Sequence, residues 1–74
     1  MWIKWFYKGK DGEYEYQVKC FDEGSEFGIE GGRISKLWIS LNGKTVCNYD
    51  RGWDVMPMTQ ETKDLYVRLL EQYN

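Results

Sequence analysis

The chain contains no histidine, a single proline and two cysteines among its 74 residues. Histidine is the commonest general base and metal ligand in proteins, so its absence removes the usual centre of acid–base catalysis and of zinc binding. The serines lie outside any Gly-x-Ser-x-Gly motif. The carboxylates of Asp50 and Asp54 flank a glycine turn that does not fix their separation. We therefore expect no enzymatic activity, no cofactor and no bound metal.

The two cysteines, Cys20 and Cys47, are too few for a structural zinc site, which needs four ligands. They could form a disulfide, but disulfides are rare in the cytosol. Free cysteine is among the most frequently buried residue types, so we interpret both as buried thiols on strands.

The chain also lacks a basic excess, a long apolar run and a signal-peptide pattern. Its formal net charge is −2, whereas proteins dedicated to nucleic acid usually present a basic face. No apolar stretch approaches the roughly 18 residues that a membrane-spanning helix needs. The first residues do not show the basic, apolar and small segments of a secretory signal. These features predict a cytoplasmic protein, and they disfavour nucleic acid and membrane as partners.

Aromatic side chains are abundant: the chain has four tryptophans, six tyrosines and three phenylalanines. Each ring can bury on the order of 150–250 Å², so a few rings fill much of a small core. At this length the whole chain, residues 1–74, is expected to form one domain.

A first β-hairpin is predicted where residues 2–8 and 13–21, both rich in aromatic and β-branched types, flank Asp11-Gly12. A two-residue turn at Asp11-Gly12 sets four pairs of residues opposite each other: Lys10 and Glu13, Tyr7 and Tyr16, Trp5 and Val18, and Ile3 and Cys20. Because side chains alternate along a strand, the last three pairs share one apolar face.

A second hairpin is predicted around Asn42-Gly43, which is among the strongest short-range hairpin signals. The predicted pairs are Leu41 with Lys44, Ile39 with Val46, Leu37 with Asn48, Trp38 with Cys47, and Lys36 with Tyr49. Both faces of this hairpin carry apolar side chains, so two assignments of the buried face stay open. Aliphatic density favours a set made of Leu37, Ile39 and Val46. The alternative set is Ile34, Trp38, Cys47 and Tyr49.

The rest of the chain predicts a loop and a helix. Residues 22–32 contain four glycines, and we expect Phe27 and Ile29 to hold this loop against the sheet edge. A C-terminal helix follows, with Thr59 as its N-cap and Glu61 in its first turn. Leucines and tyrosines recur along it at three- and four-residue spacing. The expected fold is α+β: a four-stranded antiparallel sheet of two hairpins with one C-terminal helix packed on one face.

One segment, Asn48-Tyr49-Asp50-Arg51-Gly52-Trp53-Asp54, has a composition that a chain reversal does not need. It could be a rigid brace, in which Arg51 pairs with a neighbouring aspartate and Trp53 folds onto the core. It could equally be a recognition surface, since tryptophan, tyrosine and arginine are enriched in interfaces. We expect residues 24–32 to lie beside residues 50–54. The candidate binding residues are Arg33, Tyr49, Asp50, Arg51, Trp53 and Asp54.

A different surface could bind single-stranded nucleic acid weakly. Aromatic rings interleaved with lysines supply the base stacking and the phosphate contacts that such binding needs. The alternative is that these rings cover the second face of the sheet or pack in a dimer. The candidate residues, on the sheet face away from the helix, are Trp2, Lys4, Phe6, Lys19 and Phe21.

Two long motifs carry a resemblance to other proteins. They are Ser25-Glu26-Phe27-Gly28-Ile29 running into Gly31-Gly32-Arg33-Ile34-Ser35-Lys36-Leu37, and residues 48–54 followed by Pro57-x-Thr59. Over nearly its whole length the chain resembles a family of small uncharacterised proteins of Gram-positive bacteria, their phages and integrative elements. The resemblance implies an intracellular accessory protein of the kind that mobile elements encode, and it implies no activity.

We therefore expect a non-enzymatic accessory module that binds a protein partner or a second copy of itself. Weak binding of single-stranded nucleic acid by the aromatic-lysine face is the alternative function.

Overall fold

The computed structural model describes the backbone of residues 3–74 and the side chains of residues 5–74. Over this range the chain forms one five-stranded antiparallel sheet, a short 3₁₀ turn at Ile29–Gly31 and one α-helix. The α+β class is confirmed, and the expected count of four strands is wrong. The elements are β1 (Ile3–Asp11), β2 (Tyr14–Phe21), β3 (Ile34–Leu41), β4 (Lys44–Asp50), β5 (Trp53–Val55) and α1 (Gln60–Tyr73).

The fifth strand, β5, is only three residues long and completes the sheet order β1-β2-β3-β4-β5. It pairs Trp53 with Tyr49 and Val55 with Asn48 on β4. Three residues are too few for the alternation of apolar and polar side chains that identifies a strand in a sequence. We attribute the formation of β5 to the reversal after β4, which directs the chain back alongside β4.

The turn of the first hairpin lies one residue later than predicted. Asp11 pairs with Tyr14, so Gly12 and Glu13 are its central residues. Gly12 has a φ of 61°, the positive value that a type II′ turn needs at its first central position. The Asp11-Gly12 signal thus identified the hairpin correctly but placed its turn wrongly.

This change of turn moves the β2 partners of residues 5–10 by two positions, so the predicted pairs are wrong. The partner of Ile3 moves by only one, to Phe21, because a bulge lies between Ile3 and Trp5. A shift of one residue would turn every side chain to the other face, whereas a shift of two preserves the faces. The predicted apolar face is retained, although Trp5, near the start of β1, is still 44% exposed. The observed pairs include Trp5 with Cys20, Tyr7 with Val18, Gly9 with Tyr16, and Lys10 with Glu15.

The second hairpin turns at Asn42-Gly43, as predicted. Both residues have positive φ, 50° and 83°, which is the requirement of a type I′ turn. Leu41 pairs with Lys44 beside the turn, also as predicted. The pairs farther from the turn differ from the prediction, because the ladder contains a bulge.

This bulge lies at Val46. Ser40 pairs with Thr45, but Ile39 pairs with Cys47, so Val46 is an extra residue on β4. An extra residue moves the rest of the strand by one position and exchanges its two faces. The odd-numbered residues of β4 beyond the bulge are therefore directed to the core.

A second bulge lies at Ser35, at the start of β3. Lys19 pairs with Lys36, but Cys20 pairs with Ile34, so Ser35 is the extra residue. Ile34 is thereby brought to the same face as the odd-numbered residues of β3. The two bulges explain why neither predicted set was right by itself: the core takes members of both.

The core lies between this face of the sheet and α1. Leu37 and Ile39 of the favoured set are buried, and Val46 is half-buried against the cluster. Trp38, of the alternative set, lies on the other face. The buried cluster comprises Val18, Cys20, Ile29, Ile34, Leu37, Ile39, Cys47, Tyr49, Leu65 and Leu69.

The helix α1 begins as predicted. The Thr59 hydroxyl accepts a hydrogen bond from the backbone N–H of Thr62 at 3.2 Å, and Glu61 lies in the first turn. The buried Thr62 hydroxyl also lies 3.1 Å from the phenol oxygen of Tyr14, which ties the helix start to β2. Within the described part of the chain, no helix is both long enough and apolar enough to cross a membrane.

Candidate functional site

The reversal between β4 and β5 fixes the backbone of the candidate binding segment. The N–H of Arg51 donates to the carbonyl of Ser35, the bulged residue of β3, at 3.0 Å. The N–H of Asp50 donates to the carbonyl of Gly52 at 2.9 Å. These bonds hold Arg51 at a φ of 60°, a left-handed conformation that costs a non-glycine residue on the order of 1–3 kcal/mol. An exposed arginine therefore occupies the most constrained position of the turn.

The predicted ion pair between Arg51 and an adjacent aspartate does not form. Asp50 instead pairs with Lys36, with 3.5 Å between the Nζ and Oδ2 atoms. Asp54 accepts a hydrogen bond from the Nδ2 atom of Asn48 at 3.2 Å. Among the residues whose side chains are described, no carboxylate forms an ion pair with Arg51. Its guanidinium is therefore left exposed to solvent beside two aspartates that have other partners.

Trp53 connects the sheet to α1. Its ring packs edge-on against Tyr49, with centroids 5.1 Å apart, and against Tyr66 of the helix, with centroids 5.4 Å apart. The side of the ring away from these tyrosines remains open, and Trp53 is 38% exposed. Trp53 thus packs against the fold as the brace interpretation expects. Arg51 does not, because it lacks the ion pair that this interpretation requires.

The glycine-rich loop reaches this segment through Tyr49. The Tyr49 phenol donates a hydrogen bond to the carbonyl oxygen of Phe27 at 3.0 Å. Ile29 is buried, as expected, but the Phe27 ring is 53% exposed, so the expectation that it anchors the loop is wrong. We call Phe27, Arg51 and Trp53 the tip surface: all three are exposed, the Phe27 backbone and the Trp53 ring contact Tyr49, and Arg51 lies in the turn between Tyr49 and Trp53.

Arg33, another candidate binding residue, lies outside the tip surface. Its Nε atom donates to the carbonyl of Phe21 at 3.1 Å, and the N–H of Phe21 donates to the Arg33 carbonyl at 2.8 Å. Arg33 is half-buried. These contacts fasten the end of β2 to the start of β3 and keep Arg33 out of the tip surface.

The loop has a further anchor that the sequence analysis missed, the side chain of Asn74. Its Oδ1 atom accepts from the N–H of Ile34 at 3.0 Å, and its Nδ2 atom donates to the carbonyl of Ile29 at 3.1 Å. One amide therefore joins the end of α1 to both the 3₁₀ turn and β3. No local pattern indicates such a contact, because it joins residues that are about half the chain apart.

The two cysteines are free and buried, so they form no disulfide. Burial raises the pKa of the Cys47 thiol to about 12. Burial also raises the pKa of Cys20, an effect that Arg33 opposes in part. Both thiols are therefore protonated at neutral pH. Within residues 5–74 the side chains form no group of three histidine, cysteine or acidic residues that could hold a metal ion.

The sheet face away from α1 carries part of the predicted aromatic-lysine surface. Phe6 is 49% exposed, and the ammonium groups of Lys8 and Lys19 lie 5.6 and 5.2 Å from its ring centroid. Phe21 is buried, so its ring is not available to a ligand, contrary to expectation. The side chains of Trp2 and Lys4 lie outside the described residues.

Trp38 belongs to this second face, although the sequence analysis placed it with a set of core residues. Its indole Nε1 atom donates to the Thr45 hydroxyl at 3.0 Å, and its ring is half-buried. The bulge at Val46 places Cys47 and Tyr49 on the core face, whereas Trp38 stays on the face away from the helix. The face on which Trp38 lies therefore depends on the bulge, and the alternation of side chains along β3 alone does not predict it.

The fold and its surfaces define a small α+β domain that presents a constrained, charged-aromatic tip and an uncovered sheet face. The chain belongs to a family described as a domain of unknown function, DUF7678, whose model matches residues 1–74. No curated protein and no solved structure matches the chain.

Proposed function

We propose that this chain is a non-enzymatic module that binds a protein partner through the tip surface. The observation that supports this most is the state of Arg51, which is exposed, without an ion pair among the described side chains, and held at a φ of 60°. Strained conformations persist where the surrounding structure fixes them, and they cluster at functional sites. The exposed guanidinium, carried on a backbone held in this way, can bind a carboxylate of a partner through two parallel hydrogen bonds.

The two aromatic members of the tip surface supply the apolar part of such an interface. Trp53 and Phe27 expose large rings, and aromatic side chains together with arginine are the usual energetic centres of protein interfaces. The buried Tyr49 packs against the Trp53 ring and binds the backbone carbonyl of Phe27. A surface fixed before binding loses little conformational entropy when a partner docks. An accessory role of this kind is also what the resemblance carried by the two long motifs implies.

The test is the variant Arg51→Gly, because glycine removes the guanidinium and also relieves the backbone strain. We expect its melting temperature to equal or exceed that of the native chain, while capture of partners from a lysate is lost. Light scattering on both proteins tests whether the partner is a second copy of the chain. Unchanged capture and unchanged self-association by Arg51→Gly would contradict the proposal.

Glu30 provides a matched control, because it is also a charged, exposed residue with a positive φ, 54°. The variant Glu30→Gly relieves strain and removes a charge in the same way, but outside the tip surface. We expect Glu30→Gly to keep the partners that Arg51→Gly loses. Equal loss in both variants would mean that backbone strain in the loops, rather than the guanidinium, determines binding.

A second function is favoured by the contacts of Phe6, and we propose it for the sheet face away from α1. An exposed ring with two ammonium groups within 6 Å of its centroid combines a stacking surface with cations. This supports weak binding of single-stranded nucleic acid. Fluorescence anisotropy of labelled oligonucleotides at low salt measures it, and no salt-dependent binding in that titration would remove this function.

A further inference from the structure

The sheet face away from α1 is a regular grid, which we call the platform face. Its side chains come from alternate residues of β1, β2 and β3, so they form rows that cross the three strands. Phe6 and Trp38 lie in neighbouring rows, on β1 and β3, with β2 between them. The rows are Phe6-Lys19-Lys36, Lys8-Gln17-Trp38 and Lys10-Glu15-Ser40.

The separation of the two rings follows from sheet geometry. Adjacent strands lie about 4.8 Å apart and residues along a strand about 3.4 Å apart, which puts the Cα atoms of Phe6 and Trp38 on the order of 12 Å apart. Bases stacked on one another along one strand of duplex DNA are only about 3.4 Å apart. Two bases that stack on these two rings must therefore belong to a single strand whose bases are spread apart.

A cleft beside Trp38, between its row and the row Lys10-Glu15-Ser40, can accept a base of such a strand. The cleft has a volume of about 330 Å³, and its lining includes Lys8, Gln17 and Trp38. The indole of Trp38 thus forms part of the cleft wall. A base that enters the cleft can stack on this indole while its phosphate stays near the lysine on β1.

The charges of the platform face are arranged around Phe6. Lys10 pairs with Glu15, and Lys36 pairs with Asp50, each at 3.5 Å. Among the described side chains, Lys8 and Lys19 form no ion pair, and these are the two lysines that flank the Phe6 ring.

The platform face carries an excess of positive charge, although the net charge of the whole chain is −2. Four of the twelve carboxylates, those of Asp22, Glu23, Glu26 and Glu30, belong to the loop between β2 and β3. The nine residues of the grid include four lysines and one glutamate. A local charge of this sign is complementary to phosphate.

We propose that Phe6 and Trp38 form a two-base platform for single-stranded nucleic acid, with Lys8 and Lys19 contacting the phosphates between the two stacked bases. This inference rests on the second proposed function and names its site. The nucleic-acid strand crosses β2 diagonally, and at least one unstacked nucleotide spans the distance between the two rings. Because every base has a π-face, the platform accepts all four bases.

Anisotropy titrations with labelled oligothymidylates test both the oligonucleotide length that the platform requires and the stacking of bases on Phe6 and Trp38. A dinucleotide is too short to place bases on both rings, so affinity should rise steeply between the dinucleotide and the tetranucleotide. Phe6→Ala and Trp38→Ala should each weaken binding of an octanucleotide by about five- to a hundredfold, the range reported for loss of one base stack. Both should also abolish the steep rise with length, whereas Trp38→Phe should keep most of it.

Lysine variants test the phosphate contacts. Lys8→Ala and Lys19→Ala should each lower the magnitude of the slope of log affinity against log salt by about 0.7, which is the expected loss for one phosphate contact with a single strand. Lys44→Ala, at the start of β4 and outside the grid, is the control and should leave the slope unchanged. Thr45→Val removes the hydrogen bond of the Trp38 indole without removing its ring, so it separates loss of stacking from loss of local structure.

The outcomes separate the platform from the function on which it rests. No binding of any oligonucleotide by the native chain at low salt would overturn both. Tight binding of the octanucleotide that survives in Phe6→Ala and Trp38→Ala would overturn the platform and leave nucleic-acid binding in place. Equal affinity for polyglutamate of the same charge would also overturn the platform, because it would identify the face as a site for acidic proteins.

Discussion

The phenol of Tyr49 donates a hydrogen bond to the carbonyl oxygen of Phe27, 3.0 Å away, and thereby ties β4 to the loop between β2 and β3. The same ring supports Trp53 edge-on. Tyr49 reaches this buried position because the bulge at Val46 turns it inward. The arrangement of the exposed tip surface is therefore set by a residue inside the fold.

Trp53→Ala should lower the free energy of unfolding by about 1–3 kcal/mol, because it removes a partly buried ring and two aromatic contacts. Trp53→Phe should retain most of that free energy, since a smaller ring can still contact Tyr49 and Tyr66. Urea denaturation followed by circular dichroism measures both variants. If Trp53→Ala unfolds at the same urea concentration as the native chain, the contacts with the two tyrosines do not stabilise the fold.

Asn74→Ala should lower the free energy of unfolding by about 1–2 kcal/mol, because it leaves a donor and an acceptor of the loop without their partner. Hydrogen exchange should then accelerate at the amide of Ile34, whose acceptor is lost. Asn74→Asp keeps this acceptor and loses the donor, so its effect on exchange at Ile34 should be smaller. Lys63→Ala, on the exposed side of α1, is the control, and similar exchange in all variants would contradict the role of Asn74.

Gly28→Ala should be among the most damaging small substitutions in the loop. A Cβ atom at Gly28 would collide with the backbone carbonyl of Gly32, and backbone atoms cannot rotate away. We expect a loss of about 1–3 kcal/mol, as for other overpacked sites, measured as a lower melting temperature. Gly52→Ala is the matched control: nothing lies within 4 Å of its Cβ, so it should be neutral or stabilising by about 0.4–1 kcal/mol. Equal melting temperatures for both variants would argue against the close approach at Gly28.

Stability should decrease in alkali because of Cys47. Its pKa is raised by burial from 9.0 to about 12, so between these values the unfolded chain loses a proton that the folded chain retains. The stabilisation is complete below pH 9 and falls by about 1.4 kcal/mol per pH unit as pH rises toward 12. Cys20, Tyr66 and Tyr73, whose pKa values burial also raises, act in the same direction.

Cys47→Ala isolates the contribution of this thiol. The comparison is between slopes of unfolding free energy against pH, because the substitution also changes packing at every pH. The slope of the variant should be shallower by one proton between pH 9 and 12. Identical slopes would show that Cys47 ionises with its ordinary pKa in the folded chain.

Local chemistry in the sequence was sufficient for part of the fold. The Asn42-Gly43 turn and the Thr59 cap depend on neighbouring residues alone, so their patterns predicted them correctly. The register of the first hairpin was wrong by two because two adjacent dipeptides, Asp11-Gly12 and Gly12-Glu13, could each form the turn. Alternation of side chains cannot distinguish registers that differ by two.

The parts that could not be predicted depend on contacts between distant residues. The bulges at Ser35 and Val46 arise from pairing between strands, and they decided which apolar residues are buried. The backbone of Arg51 is held by the carbonyl of Ser35, so its positive φ has no local signal. The sequence thus indicated the segment that forms the candidate site but not the contacts of its side chains.

The bulge at Val46 also determines where the chain can change its length. Removing Val46 would leave Ser40 opposite Thr45 and Ile39 opposite Cys47 in one continuous ladder. Removing any later residue of β4 would instead turn each following side chain to the opposite face. Ser35 is a less tolerant position, since its carbonyl also accepts the N–H of Arg51. Sequences of different length can therefore share this sheet if their gap falls at position 46.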